Sequence, residues 1–152
     1  MNFLVHSHCA GDQMFPSDLR KEIENAITVI DVFLKNGVAT QIRNQFLTSL
    51  RIEGWAGELV LSPDSQITIT SAKNDVGLCM QTGNMARMYA DLLKLQTLYL
   101  NGSIKAAAFV LPSSPVASKL GSNIANATRL ERELEIYKKV FYIPTLIFSL
   151  EE

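Results

Sequence analysis

Residues Gln66–Leu100, QITITSAKNDVGLCMQTGNMARMYADLLKLQTLYL, decide how this chain folds. Gln66–Ser71 and Val76–Met80 are short apolar runs on either side of the turn-forming Ala72-Lys73-Asn74-Asp75, a pattern that predicts two hairpin strands. Asn84 then caps a helix from about Met85 to Leu100, and Asn101-Gly102 ends it. Met88, Leu92, Leu95 and Tyr99 form its apolar stripe. A hairpin feeding directly into an amphipathic helix is a compact framework on which strand and helix side chains can converge.

Working outward, Asn2–His6 reads as a short strand. Pro16-Ser17 opens a helix with Ser17 as its N-cap. Leu19, Ile23, Ala26, Ile27, Ile30, Phe33 and Leu34 recur at helical spacing, and Gly37 closes the run. A second helix covers about Ala39–Glu53, with Gly54-Trp55-Ala56-Gly57 breaking it before a strand at about Glu58–Leu61. Beyond the central segment, Ile104–Leu111 is almost unbroken apolar sequence, as for a strand covered on both faces. Pro112-Ser113-Ser114-Pro115 reads as a loop. Ala127 or Thr128 starts a charged helix to about Val140, and Tyr142–Leu150 a last strand interrupted early by Pro144. This order predicts one α/β domain over residues 1–152, a mixed sheet flanked by helices.

The chain has 152 residues, 47% hydrophobic and 19% charged, which is enough to build a sizeable core. No apolar run approaches the ~18 residues of a membrane span, so no membrane partner is expected. MNFLVHSHCAGD at the start lacks the pattern of a secretory signal, which makes cytoplasmic residence the expectation. Cys9 and Cys79 form no CxxC unit and are expected as reduced thiols. A net charge of −1 lacks the basic surplus that phosphate neutralisation usually requires, which weighs toward a protein partner rather than DNA.

Several spacings carry a more specific likeness. Gln81 is followed by Gly83-Asn84, and Arg87, Tyr89, Asp91, Leu92, Lys94 and Gln96 follow on the helix. Together with Gly121–Leu134 (GSNIANATRLEREL) and Ile143-Pro144, the segment Gly37–Leu150 resembles the BglII-type restriction endonucleases, a branch of the PD-(D/E)xK superfamily. That branch looks like D-x8-E-x-Q, then G-N, then R-x-Y-x-D-L-x-K-x-Q. The resemblance implies a restriction-endonuclease-like core, with Mg²⁺ held by the Asp and Glu of the motif. It sets Thr70 at the Asp position and Cys79 at the Glu position, with Gln81 third. Magnesium prefers hard oxygen ligands including carboxylates, and thiols suit softer metals. The resemblance therefore implies a degenerate site in which Thr70, Cys79 and Gln81 are vestigial and no cofactor is bound.

Other candidates have plainer readings. His6-Ser7-His8-Cys9 lacks a second ligand pair for zinc and reads as a turn-like terminal segment. The charges from Arg129 to Lys139 suit a solvated helix with an ion pair between Glu135 and Lys139. Asn84, Arg87, Lys94 and Trp55 are the candidate binding residues, Trp55 because aromatics are enriched at interfaces, with core packing as its other reading.

Three functions compete on this sequence. The first is a non-catalytic protein on a degenerate nuclease scaffold that neutralises or regulates a protein, in the manner of bacterial toxin-immunity proteins. The second is a Mg²⁺-dependent endonuclease with displaced ligands, such as Glu58 or Asp64 with Asp75. The third is a DNA-binding relic with a basic face at Arg87, Lys94 or Lys105. A homodimer is compatible with each.

Overall fold

The computed structural model describes residues 1–152. In chain order the elements are β1 (Asn2–His8), α1 (Gly11–Met14), α2 (Ser17–Thr28), α3 (Ala39–Ile52), β2 (Leu59–Val60), β3 (Thr68–Ile69) and β4 (Ser71–Lys73). They continue with β5 (Val76–Met80), α4 (Met85–Leu100), β6 (Ala106–Pro112), α5 (Ser114–Leu120), α6 (Ala127–Tyr137) and β7 (Thr145–Glu151). Five strands form one sheet in the order β1-β7-β6-β5-β4, and β2 pairs with β3 in a separate ribbon. The central β5, β6 and β7 are parallel, while β1 and β4 close the edges antiparallel. The result is the expected α/β architecture, a mixed sheet with helices on both faces.

Side-chain alternation explains the layering. Ala106, Ala108 and Val110 of β6 face the side packed by Leu19, Ile23, Ile42 and Phe46 of α2 and α3. Ala107, Phe109 and Leu111 face Met88, Leu92 and Leu95 of α4 and Leu130 and Leu134 of α6. Both faces of the strand are therefore buried, which is why its sequence is nearly all apolar. Each fully buried Leu or Ile of these helices contributes about 1.5–3 kcal/mol relative to an exposed position. Gly11 is required by a close approach: a Cβ there would lie 2.2 Å from the Thr145 carbonyl oxygen.

The hairpin turn is tighter than the four-residue reading. Asn74 and Asp75 take φ of 46° and 63°, the paired left-handed conformation of a two-residue hairpin turn. Lys73 thus belongs to β4.

Other expectations need correction. The helix from Ser17 ends at Thr28 instead of continuing toward Gly37. Thr28-Val29-Ile30 is a β-branched run, poor at extending a helix, and the Thr28 hydroxyl donates back to the Asn25 carbonyl. Phe33 is consequently 83% exposed rather than on a buried stripe. Pro16, not Ser17, occupies the N-cap position. The Gln66–Ser71 run is split at Thr70, so that β3 joins the ribbon and β4 the main sheet. Ser113 accepts from Val116 N–H and caps the short α5, where a loop was expected. His6-Ser7-His8 is not a loose terminus, since all seven residues of β1 pair with β7.

Candidate functional site

The carboxyl ends of parallel strands are where open α/β sheets place their ligand sites. Here β5 ends at Met80, and Gln81-Thr82-Gly83 leads into α4, whose N-cap Asn84 accepts from Ala86 N–H at 2.8 Å. Between this turn, α3 and the ribbon lies a cleft of about 570 Å³. Arg43 of α3, Glu58 before β2, Thr70, Gln81, and Arg87, Asp91 and Lys94 of α4 line it. Arg87, Asp91 and Lys94 follow i, i+4, i+7 spacing, so one helix face delivers all three.

Its polar groups answer one another. Asp91 is buried, with Oδ2 accepting from Gln81 Nε2 at 3.0 Å and Oδ1 paired to Lys94 Nζ at 2.8 Å. Gln81 Oε1 accepts from Gly83 N–H at 3.0 Å, which fixes the amide orientation. Thr70 Oγ1 accepts from Met80 N–H at 3.0 Å. Arg43 donates from Nη1 to the Met80 carbonyl at 2.9 Å. Cys79 packs beneath the cleft with Ile69, Met88 and Leu92 and does not line it. Burial above all, then the nearby Asp91 charge, pushes its thiol far above its ordinary range, so it stays protonated.

This donor set does not suit a divalent cation. A metal would meet a hydroxyl already used as an acceptor, a buried neutral thiol and a carboxylate with both oxygens engaged. Arg43, Arg87 and Lys94 would repel it. Glu58 is the cleft carboxylate without an ion-pair partner, and one carboxylate is a poor match for the octahedral oxygen shell magnesium demands. No group of three or more His, Cys, Asp or Glu side chains converges anywhere in the chain.

The sequence candidates distribute unevenly. Gln81, Thr70, Arg87 and Lys94 come together in the cleft, with Asn84 at its edge as a cap. Trp55, a proposed contact residue, is instead core: it is 3% exposed and its indole N–H donates to Glu22 Oε2 at 2.7 Å. The same Glu22 accepts from Lys73 Nζ at 2.8 Å, so this lysine staples α2 to β4 away from the cleft. Asp75 pairs with Lys105 at 2.8 Å on an exposed rim, which removes both from the displaced-ligand and basic-face groupings. Asp64 does not reach the cleft either. The expected Glu135–Lys139 pair is replaced by Glu135–Lys138 at 3.5 Å.

Cys9 Sγ lies 3.3 Å from His8 Nε2, yet this nitrogen also lies 2.8 Å from the Phe141 carbonyl. A carbonyl only accepts, so Nε2 carries the hydrogen and cannot take the thiol proton. The thiol is held above its ordinary value by burial and by Glu135. Sequence reasoning missed Arg43 as a site residue, and nothing local marks it. It placed Asp91 only as part of a family pattern, although its spacing between Arg87 and Lys94 was a usable signal.

The crystal structure of restriction endonuclease BglII complexed with a DNA 16-mer matches at a TM-score of 0.88 and 14% identity, covering 100% of this chain and 77% of that one. Free BglII matches at 0.79 and 15% identity, over 100% and 80%. At these identities the likeness establishes the fold. No curated protein sequence matches. The profile of the family described as restriction endonuclease BglII/BglIII matches residues 3–150. The chain is a member of the restriction endonuclease BglII/BglIII family.

Proposed function

We propose that this chain is a non-catalytic binding protein on a restriction-endonuclease fold, whose cleft holds the phosphodiester backbone of DNA without cutting it. The observation that carries the reading is the closed network around Asp91: its two oxygens are taken by Gln81 and Lys94, and Thr70 and Arg43 hold the Met80 peptide. Hydrolysis without a metal lacks both an activated water and a counter-charge for the departing oxygen. Arg43, Arg87 and Lys94 instead supply donors of the kind that bind phosphate, and Arg87 has a side chain free of any ion pair. DNA as the ligand draws further support from the similar fold of BglII, whose structure was determined with a DNA 16-mer.

The test combines three measurements on the native chain. Calorimetry with Mg²⁺ and Mn²⁺ is expected to give no binding heat, and duplex DNA incubated with either ion is expected to stay intact. Fluorescence anisotropy with a labelled duplex is expected to report binding that weakens steeply with salt. Metal-dependent cleavage would overturn the non-catalytic reading, and absence of DNA binding would overturn the ligand. Restoring an acid is best done at Thr70 alone, because Cys79→Glu would bury a second carboxylate beside Asp91.

A second reading, a protein partner such as a toxin that the chain neutralises, has its own support. The net charge is −1, and exposed Leu93, Leu100, Ile136 and Val140 lie on and around α4 and α6, outside the cleft. Failure of DNA binding together with absence of cleavage would favour it.

A further inference from the structure

The ribbon of β2 and β3 stands apart from the main sheet and supplies one wall of the cleft. Leu59 lies opposite Ile69, and Val60 opposite Thr68. Residues that oppose each other across an antiparallel pair share a face, and neighbours along a strand alternate between faces. Leu59 and Ile69 turn to the core beneath α4. Glu58, Val60 and Thr68 therefore share the other face, and Glu58 and Thr68 line the cleft. Val60 is 49% exposed on that face.

The ribbon differs in chemistry from the helices across the cleft. From Gly54 to Ala72 the chain has no Lys or Arg, and it has two acids, Glu58 and Asp64. Arg43 and Arg87 come from α3 and α4. A phosphate is attracted by the helices and repelled by the ribbon. Glu58 nevertheless lines the same cleft and has no ion-pair partner there. A ligand that suits both walls carries negative charge on one side and hydrogen-bond donors on the other. Duplex DNA does so: phosphates flank a groove whose floor displays base edges, and the major groove, about 12 Å wide, admits a two-stranded ribbon.

The base edges decide which donor a carboxylate can use. Guanine shows two acceptors in that groove and thymine one, and a carboxylate is repelled by all three. Adenine sets an acceptor beside its amino group. Cytosine shows its N4 amino group alone.

We infer that the β2–β3 ribbon is the base-reading element of the cleft, with Glu58 accepting from the N4 amino group of a cytosine in the major groove. The inference rests on the reading of the cleft as a DNA site.

The test incubates the native chain with a library of duplexes randomised at their centre and sequences the bound fraction. One position is expected to favour a C·G pair roughly tenfold over T·A, the worth of one good base contact. Glu58 is exposed, so its replacement leaves the fold in place. Glu58→Ala is expected to bind the unselected library more tightly than native, because an anion has left the cleft, and to show no cytosine preference. Glu58→Gln is expected to move the preference to adenine, whose N6 and N7 a side-chain amide contacts together. A purely structural role for Glu58 would not produce that switch. Cytosine preference that persists in Glu58→Ala would overturn the role of Glu58, and so would native binding without any such preference. In both cases DNA binding by the cleft stands. A native chain that retains no duplex would overturn the DNA reading and this inference together.

Discussion

Two faces of α4 handle polarity in opposite ways. Toward the cleft it presents Arg87, Asp91 and Lys94, and Asp91 is fully answered by Gln81 and Lys94. Toward the groove beside α6 it presents Tyr89, Leu92, Leu93 and Gln96, with one amide nitrogen unanswered. The cleft answers Asp91 with one amide and one lysine of its own, so the charges left for a ligand are Arg43 and Arg87 against the single unpaired Glu58. The groove keeps a donor unoccupied inside apolar walls. The difference teaches that charge count alone is a poor guide to a site. What matters is which groups remain unpaired after the fold has satisfied the rest.

Gln96→Leu is the most severe way to break this contrast. It orphans the Tyr142 and Ile143 N–H groups, and urea denaturation is expected to show a loss of about 3 kcal/mol. On the cleft side, Lys94→Met strands Asp91 with a neutral amide as its only partner. The pair is mostly buried, with side chains 25% and 10% exposed, and the expected loss is about 2 kcal/mol in the same assay. Thr70→Val removes the acceptor of Met80 N–H and is expected to cost about 1 kcal/mol, with no other property of the cleft altered.

Cys79 sharpens the floor of the cleft by chemistry. A disulfide reagent at mild alkaline pH is expected to modify Cys9 in the native chain and Cys79 only after denaturation. The folded Cys79 thiol titrates far above its ordinary 9.0, whereas the unfolded thiol does not. Its contribution to stability is therefore complete below pH 9.0 and lost as pH rises beyond it, because the unfolded chain releases the proton first. Cys79→Ala is expected to flatten that alkaline limb relative to native protein in pH-dependent urea melts. The smallest effect on stability is expected for Arg87→Ala, within about 0.5 kcal/mol of native, since the side chain is exposed and unpaired. If the cleft holds phosphate, the same variant lowers the slope of log affinity against log salt by about 1 in anisotropy titrations.

How much of this was legible depended on how local the cause was. Strand Val76–Met80 and helix Met85–Leu100 have the boundaries expected from their apolar patterns, and Asn84 caps the helix as its side chain predicts. The premature end of α2 was harder, because helical spacing continued through Phe33 and Leu34 while the β-branched Thr28-Val29-Ile30 had already ended the helix. Trp55 between glycines read as core or as contact, and Glu22, 33 residues earlier, is what makes the buried indole tolerable. Thr70 and Cys79 were flagged by spacing, yet that spacing could not show Thr70 satisfying the Met80 amide or Cys79 packing under the cleft.

The α/β class, the family likeness and the hairpin-to-helix framework were written locally in the chain, as were Thr70 and Cys79 at the positions the resemblance marks. Each of these rests on periodicity, capping or spacing within a few dozen residues, where the chain's own geometry dictates which side chains share a face. Tertiary structure alone decided which groups end up paired. Arg43 reaches Met80 across 37 residues, and Gln96 reaches Tyr142 across 46. Such contacts depend on how layers pack, and the free energy of a buried polar group is set by the partner that packing brings.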